Sequence, residues 1–391
     1  MDFTFDPADE IFREEIRSWV RANLPADIKA VSHRNFHMGG PMMARWVGLL
    51  NTRGWAAPSW PVELGGQGWT VMQQFIFEQT LLEEGAPSLD VSGAKMIGPI
   101  INTYGTPEQI ERFNKPWARG ELRWAQGFSE PGAGSDLASL TTAAERNGDD
   151  YVINGRKIWT TNAHYAQWIF CLVKTDPTAK QRGISLILVP TDAPGVTIRP
   201  IIDIVGKHHL NEVFFDDVRT SAANLIGEEN KGWTYAKGLL ESERALSGEA
   251  PRNRRYLNMV KYVAQNRKRA GKPLIDDPVF ATRIAQLESD LNALEWMTFR
   301  ALTAKEGGDS ALPLGSILKV RGSELLQNLT ALHVEALGDH GYYVHGEDTD
   351  VPGPDFAPGL LADFLYCRAS TIYGGSNEIQ RTIIARQFLG L

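Results

Sequence analysis

The amino-acid sequence predicts an α+β protein in which two helical regions flank a middle run of strands. Apolar residues recur at helical spacing before about residue 123 and again after about residue 230. Between them, short β-branched and aromatic segments are separated by turn residues. No helical pattern connects those segments, so antiparallel pairing is the expected arrangement. At roughly 150 residues per domain, a chain of 391 residues accommodates three parts. The boundaries read as 1–123 (α-helical), 124–229 (β, barrel or sandwich) and 230–391 (helical bundle).

In the first region Asp6-Pro7 is a helix start, an N-cap acceptor followed by a residue pre-set for the first turn. Ile11, Phe12, Ile16, Trp19 and Val20 then share one face, and Pro25 ends the run. Further helices are expected over 42–53, 70–84 and 107–120, with a Gly- and Pro-rich loop from Ala57 to Trp69. In the middle region Tyr151-Val152-Ile153 lead into Asn154-Gly155, a hairpin signal, with Lys157–Thr161 as the expected return strand. Trp168–Thr175, Gly183–Thr191, Val196–Ile201 and Val213–Val218 read as further strands, with Asp216-Asp217 opening a turn. In the last region Ile284, Leu287, Leu291, Leu294 and Met297 form an apolar stripe on a long helix. Ile317, Val320, Leu325, Leu329 and Leu332 mark a second, and 378–389 a short terminal one. The Pro- and Asp-rich stretch between Gly341 and Leu361 is long enough to serve a site or an interface. There is no internal repeat.

Composition narrows the function. Hydrophobic residues make up 43% and charged residues 22%, an ordinary globular balance. The net charge of −7 argues against binding a phosphate backbone. Two cysteines, Cys171 and Cys367, sit in apolar surroundings without a CxxC or a His-rich neighbour, which disfavours structural zinc or a disulfide framework. The acidic MDFTFDPADE is unlike a signal or transit peptide, and no apolar run approaches the roughly 18 residues of a membrane span. A soluble, cytoplasmic protein without a metal site is therefore expected. GxxxxGK[ST] and a strand–GxGxxG–helix unit are both missing, which disfavours a Rossmann-type nucleotide site.

Three segments carry chemistry: FSEPGAGSDLASL at Phe128–Leu140, GRKIWTTNA at Gly155–Ala163 and IYGGSNEIQRTIIAR at Ile372–Arg386. In this order, with the α–β–α layout, they resemble the acyl-CoA dehydrogenase family over essentially the whole chain. The branch they look most like is that of bacterial large subunits such as pimeloyl-CoA dehydrogenase. The resemblance implies an FAD enzyme that desaturates an acyl-CoA thioester and passes electrons to an electron-transferring flavoprotein. It implies that Gln126, Phe128 and Ser129 contact the flavin ring, that Trp159 and Thr161 cover one face and bond its edge, and that Ser376 and Glu378 lie near the cofactor's far end. Ser135, Arg244 and Tyr373 are the implied substrate contacts. For Glu130–Asp136 an ordinary surface loop, and for Trp159 a core aromatic, are the competing readings.

Desaturation needs a carboxylate to remove the weakly acidic α-proton, and a dry pocket raises its pKa toward neutrality. Much of the family carries that Glu directly after the Tyr of the last motif, where this chain has Gly374 after Tyr373. A second group within the family supplies the base from the helix opening the last domain, in a Glu-Arg pair that matches Glu243-Arg244. Glu243 has no Lys or Arg at positions 239 or 247, whereas Glu241 has Lys237 four residues before it. The expected base is Glu243, with the Gly374 N–H donating to the thioester carbonyl. A solvated, non-catalytic Glu243 is the alternative. Adjacent His208-His209 point to opposite faces of a strand and are read as solvated or edge residues.

The basic run at 266–272 resembles the segment that crosses a dimer interface to the FAD pyrophosphate, with Arg267 at the matching place; a solvated charged turn is the alternative. Around it the family's lent contacts are altered: Ala270 and Pro278 stand for an aromatic and a Gln, and Glu335 for a Gln that contacts the neighbour's FAD. These departures suit an α2β2 heterotetramer with a smaller homologous subunit, or a homotetramer with an altered grip. A silent, ester-binding subunit and an oxygen-reacting oxidase are the competing functions. Dicarboxylyl, medium-chain, branched and ring-bearing acyl groups, including steroid side chains, all fit.

Overall fold

The computed structural model describes residues 6–34, 38–238, 249–306, 312–342, 354, 357 and 359–391. They gather into two compact units. One comprises Met1–His37, Trp69–Ser88 and Glu241–Leu391, and the other Met38–Gly68 and Leu89–Leu240.

The second unit is organised by one sheet. Its strands are β1 (Trp124–Gly127), β2 (Ala143–Asn147), β3 (Asp150–Lys157), β4 (Trp168–Lys174), β5 (Ile184–Pro190), β6 (Val196–Ile202) and β7 (His208–Ser221). The order is β1-β4-β2-β3-β7-β6, with β5 also paired to β4. Most pairings are antiparallel, as expected, but β1 and β2 both run parallel to β4. β4 and β5 are buried on both faces, which is why they read as unbroken apolar runs rather than as alternation. Tyr151, Ile153, Ile169, Cys171, Val173, Ile187, Val189, Val213, Phe215 and Val218 form the core beneath the sheet.

The expected hairpin at Asn154-Gly155 is corrected. β3 runs straight through these residues, and the turn falls earlier, where Gly148 has φ 64°. Asn154 instead lies opposite a bulge in β7, where Asp216 and Asp217 together face it and the register shifts. Asn154 Nδ2 donates to Asp217 Oδ1 at 2.9 Å, and Asp217 N donates back to Asn154 Oδ1 at 2.8 Å. Gly155 takes φ 147°, and a Cβ there would lie 2.6 Å from Thr142 Cα. The same bulge corrects Asp216-Asp217, which lie inside β7 rather than opening a turn.

In the first unit, helix Pro7–Asn23 begins as expected, with Asp6 Oδ1 accepting from Ala8 N at 2.9 Å. Ile16 and Val20 are buried, but Ile11 is 73% exposed, so the apolar face is narrower than the sequence implied. Arg17 and Arg21 fasten this helix to Glu84. The long helices Pro278–Glu306 and Leu312–Leu337 pack through Ile284, Leu291, Leu294, Leu325 and Leu329, from the stripes read from sequence, and Ala250–Asn266 adds Leu257 and Val260 to the same core. The helix expected over 107–120 runs without a break from Pro107 to Ala118, with a five-residue π turn, Ile110–Asn114, inside it. Among the described residues, no helix is long and apolar enough to cross a membrane.

Candidate active site

In the sheet unit, the end of β1 and the end of β3 lie side by side. Ile158 N donates to Ser129 O at 2.9 Å, so Phe128-Ser129 and Trp159-Thr160-Thr161 are neighbours. Lys157, at the inward position that Tyr151 and Ile153 also occupy, is fully buried and reaches across to Phe128 O at 3.1 Å. The segments that carry Gln126, Phe128 and Ser129 and that carry Trp159 and Thr161 are thus neighbours where β1 and β3 end.

Trp159 is not a core aromatic. It is 54% exposed and its backbone is left-handed at φ 59°, as is that of Asn162 at φ 56°. A residue with a Cβ holds this conformation at a cost of about 1–2 kcal/mol. Displaying a large ring to solvent from a strained turn is opposite to what stability alone favours. Phe128 packs inward against Phe170, ring centroids 5.7 Å apart.

The SEPGAGSD segment is folded around Glu130, a buried residue to which the sequence assigns no role of its own. Glu130 and Ala133 exchange two 3.0 Å backbone bonds, closing the Pro131-Gly132 turn. The Glu130 carboxylate accepts from Lys157 Nζ at 2.8 Å, Thr141 N at 2.7 Å, Thr141 Oγ1 at 2.8 Å and Thr142 N at 2.9 Å. Burial alone would raise its pKa, but the Lys157 charge and these donors outweigh it and hold Glu130 down at about 2. Around the turn, a Cβ added at Gly132 or Gly134 would meet nothing within 4 Å, and Ser135 is exposed beside them. The missed signal was Lys157 itself, a cation at an inward strand position, which requires a buried acid.

In the helical unit, Tyr373, Gly374 and Gly375 form a turn before the helix Asn377–Gln387. Gly374 and Gly375 have φ of 64° and 84°, so the position of the family's usual Glu is a left-handed one here. Tyr373 is 36% exposed. Ser376 caps the helix, its hydroxyl accepting from Ile379 N at 3.4 Å, and Glu378 stands exposed in the first turn. The preceding segment is fixed by Leu312–Leu337: Lys319 Nζ donates to Ser370 O at 2.5 Å, and Gln327 Nε2 to Cys367 O and Arg368 O at 3.2 and 3.1 Å. Glu243 and Arg244 lie outside the described residues.

Arg267 follows the helix Ala250–Asn266, with Nη2 where a Cβ on Gly338 would be 3.2 Å away. The basic run after it folds as an exposed two-stranded turn, Lys268–Arg269 against Lys272–Pro273. Glu335 is held within its own chain, both carboxylate oxygens accepting from Arg283 Nη1 at 2.6 Å. Of the adjacent pair read as solvated or edge histidines, only His208 is exposed. His209 is half-buried with Nδ1 3.4 Å from Asp203 Oδ2, and His208 Nε2 meets buried Asn211.

Helical segments before and after a β half-barrel in chain order, with an exposed aromatic turn where β3 ends, define an α+β fold class. Comparison with known proteins resolves the class. The family profile "Acyl-CoA dehydrogenase, N-terminal domain" matches residues 6–121, the middle-domain profile 125–218 and the C-terminal-domain profile 230–389. The chain belongs to the acyl-CoA dehydrogenase family, a family of oxidoreductases. It is 36% identical to acyl-CoA dehydrogenase IpdE1 of Mycobacterium tuberculosis, covering 98% of this chain and 97% of that one. FadE26 of the same organism is 35% identical over 100% of this chain and 99% of its own. Among solved structures, the ChsE4-ChsE5 complex from M. tuberculosis superimposes with a TM-score of 0.87 at 34% identity, covering 100% of this chain and 99% of that one. The Tcur3481-Tcur3483 steroid ACAD does so with a TM-score of 0.89 at 30% identity and the same coverage.

Proposed function

We propose that this chain is an FAD-dependent acyl-CoA dehydrogenase subunit that removes the α-proton and β-hydride of an acyl-CoA thioester. The observation that carries the reading is Trp159, an exposed ring on a strained turn bonded to Phe128-Ser129, since a flat aromatic ligand is what such a wall serves. The residues fit the cofactor: Gln126, Ser129 and Thr161 supply polar groups beside the ring, and the open Gly132-Ala133-Gly134 backbone admits close approach. Bound FAD supplies the acceptor for the hydride.

The remaining chemistry belongs to the protein. Glu243 takes the α-proton, and the Gly374 N–H donates to the thioester oxygen as negative charge grows there. Ser135, Arg244 and Tyr373 hold the CoA ester, while Arg267, Ser376 and Glu378 hold the cofactor's distal parts. The substrate is a ring-bearing or branched acyl-CoA, a reading supported by the steroid ACAD among the structural relatives. The electron acceptor is an electron-transferring flavoprotein, and the compartment is the cytoplasm. The paired composition of both relatives supports an α2β2 assembly with a smaller homologous subunit. Gly374 favours a second reading, a catalytically silent subunit that retains ester binding.

The test is to purify the chain with and without the product of a neighbouring gene and add acyl-CoA esters anaerobically. The flavin absorbance is expected to bleach with wild type. Glu243→Gln should keep bound flavin and lose bleaching by at least about 1000-fold in rate, the scale of a lost general base. Bleaching retained by Glu243→Gln rejects the assigned base, and a chain that never takes flavin supports the silent subunit.

A further inference from the structure

The turn from Trp159 to Asn162 is held by side chains that the proposed chemistry does not use. Its backbone is paired to the start of β7: Thr160 N donates to Asn211 O at 3.0 Å, and Asn162 N to His209 O at 2.7 Å. Asn211 is fully buried beside it. Its Nδ2 donates to Thr160 O at 2.9 Å, and because a peptide oxygen can only accept, this bond fixes which way the amide faces. The same NH2 donates to His164 Nδ1 at 3.1 Å, and Oδ1 accepts from His208 Nε2 at 2.7 Å. Both imidazoles are thereby set in the Nε2–H form, and their rings stack at 3.9 Å. One donor is left over: His164 Nε2 is buried with no hydrogen-bond partner among the described residues.

We propose that Asn211 is a positioning residue which, through His164 and His208, holds the Trp159–Asn162 turn in the conformation that receives the cofactor. The proposal rests on the reading that Trp159 and Thr161 contact a flavin. Among the described residues, the amide alone bonds the turn's carbonyl and both imidazoles at once, so an apolar side chain of equal size cannot replace it. Asn162 tolerates its left-handed backbone, whereas Trp159, with a bulky side chain at φ 59°, depends on these bonds.

The experiment uses the full-length chain, with its partner subunit if it requires one, and compares wild type with Asn211→Leu, His208→Leu and His208→Gln. FAD affinity is read by quenching of flavin fluorescence, and amide exchange of residues 158–163 by mass spectrometry. Asn211→Leu should raise the FAD Kd by about tenfold or more, shift the visible flavin spectrum and speed exchange in that peptide. His208→Leu should move the same readouts less, and His208→Gln, which restores a donor to Asn211 Oδ1, should return them to wild type. Wild-type affinity together with wild-type exchange in Asn211→Leu overturns the proposal, as does fast exchange of the turn in wild type. If Asn211→Leu does not fold, the His208 pair decides by the same criteria. If wild type takes no FAD, the flavin reading falls, while the exchange data still judge the clamp.

Discussion

Glu130 and Lys157 illustrate how a single pair fixes a functional loop. Two charges inside the protein are costly unless each is fully bonded, and here the carboxylate collects four donors. The linkage sign follows from its lowered pKa. A carboxylate whose folded value, about 2, lies below its ordinary 4.5 contributes stability that is complete above the ordinary value and is lost as pH falls toward the folded one. The contribution is about 3 kcal/mol at neutral pH, at 1.36 kcal/mol per unit. Glu130→Gln is therefore expected to lower stability by about 3 kcal/mol at pH 7 and by much less near pH 2.5. Urea unfolding at both pH values measures this, and an equal loss at the two pH values would remove the charge from the explanation. The motif around Glu130 was legible as chemically special, but its anchor was not. Thr141, Thr142 and Lys157 are distant in sequence and become donors only once β2 and β3 pair.

At the scale of elements, what the sequence encodes locally was legible and what it encodes through pairing was not. The helix start at Asp6 and the stripes of Pro278–Glu306 and Leu312–Leu337 follow from capping and periodicity within each segment. Asn154-Gly155 failed as a hairpin because the dipeptide lies within β3 opposite the β7 bulge at Asp216-Asp217, which only the pairing of the two strands reveals. His208 and Asn211 were likewise illegible, since their importance comes from a turn about 50 residues earlier in the chain. The helix Leu312–Leu337 has a comparable role for the Tyr373–Gly375 turn. Lys319, buried, donates to Ser370 O, and Ser323 Oγ donates to Asn377 Oδ1 at 3.1 Å, so both flanks of the turn are tied to one rigid helix. Lys319→Met leaves the Ser370 carbonyl buried without this donor and should cost about 1–3 kcal/mol. If the turn also carries the oxyanion donor, KM for acyl-CoA and kcat should both worsen while FAD affinity stays near wild type. A thermal midpoint that drops with unchanged kinetics would confine Lys319 to stability.

At the scale of the whole molecule, the order of elements along the chain differs from their grouping in space. The helical residues of Trp69–Ser88 pack with the last region and the residues of Met38–Gly68 with the sheet, although sequence places both in one helical stretch. Periodicity says that a helix buries a face, not which later segment buries it. The departures from the family at Ala270, Pro278 and Glu335 belong to this scale as well, because they concern what a chain contributes to another. Glu335 is engaged by Arg283 of its own chain at 2.6 Å, and an acid satisfied at home is poorly suited to replace the neutral Gln that the family lends across an interface. Under the proposed reading of these positions, a homo-oligomer repeats the altered contacts at every site, whereas an unequal pair supplies them from the second subunit. The chain expressed alone is thus expected to bind FAD substoichiometrically and to gain full occupancy when co-expressed with that subunit. Native mass spectrometry with flavin quantification tests both points. A fully flavinated, active homotetramer from the lone chain would show that the altered positions grip FAD in another way, and would remove the need for a partner.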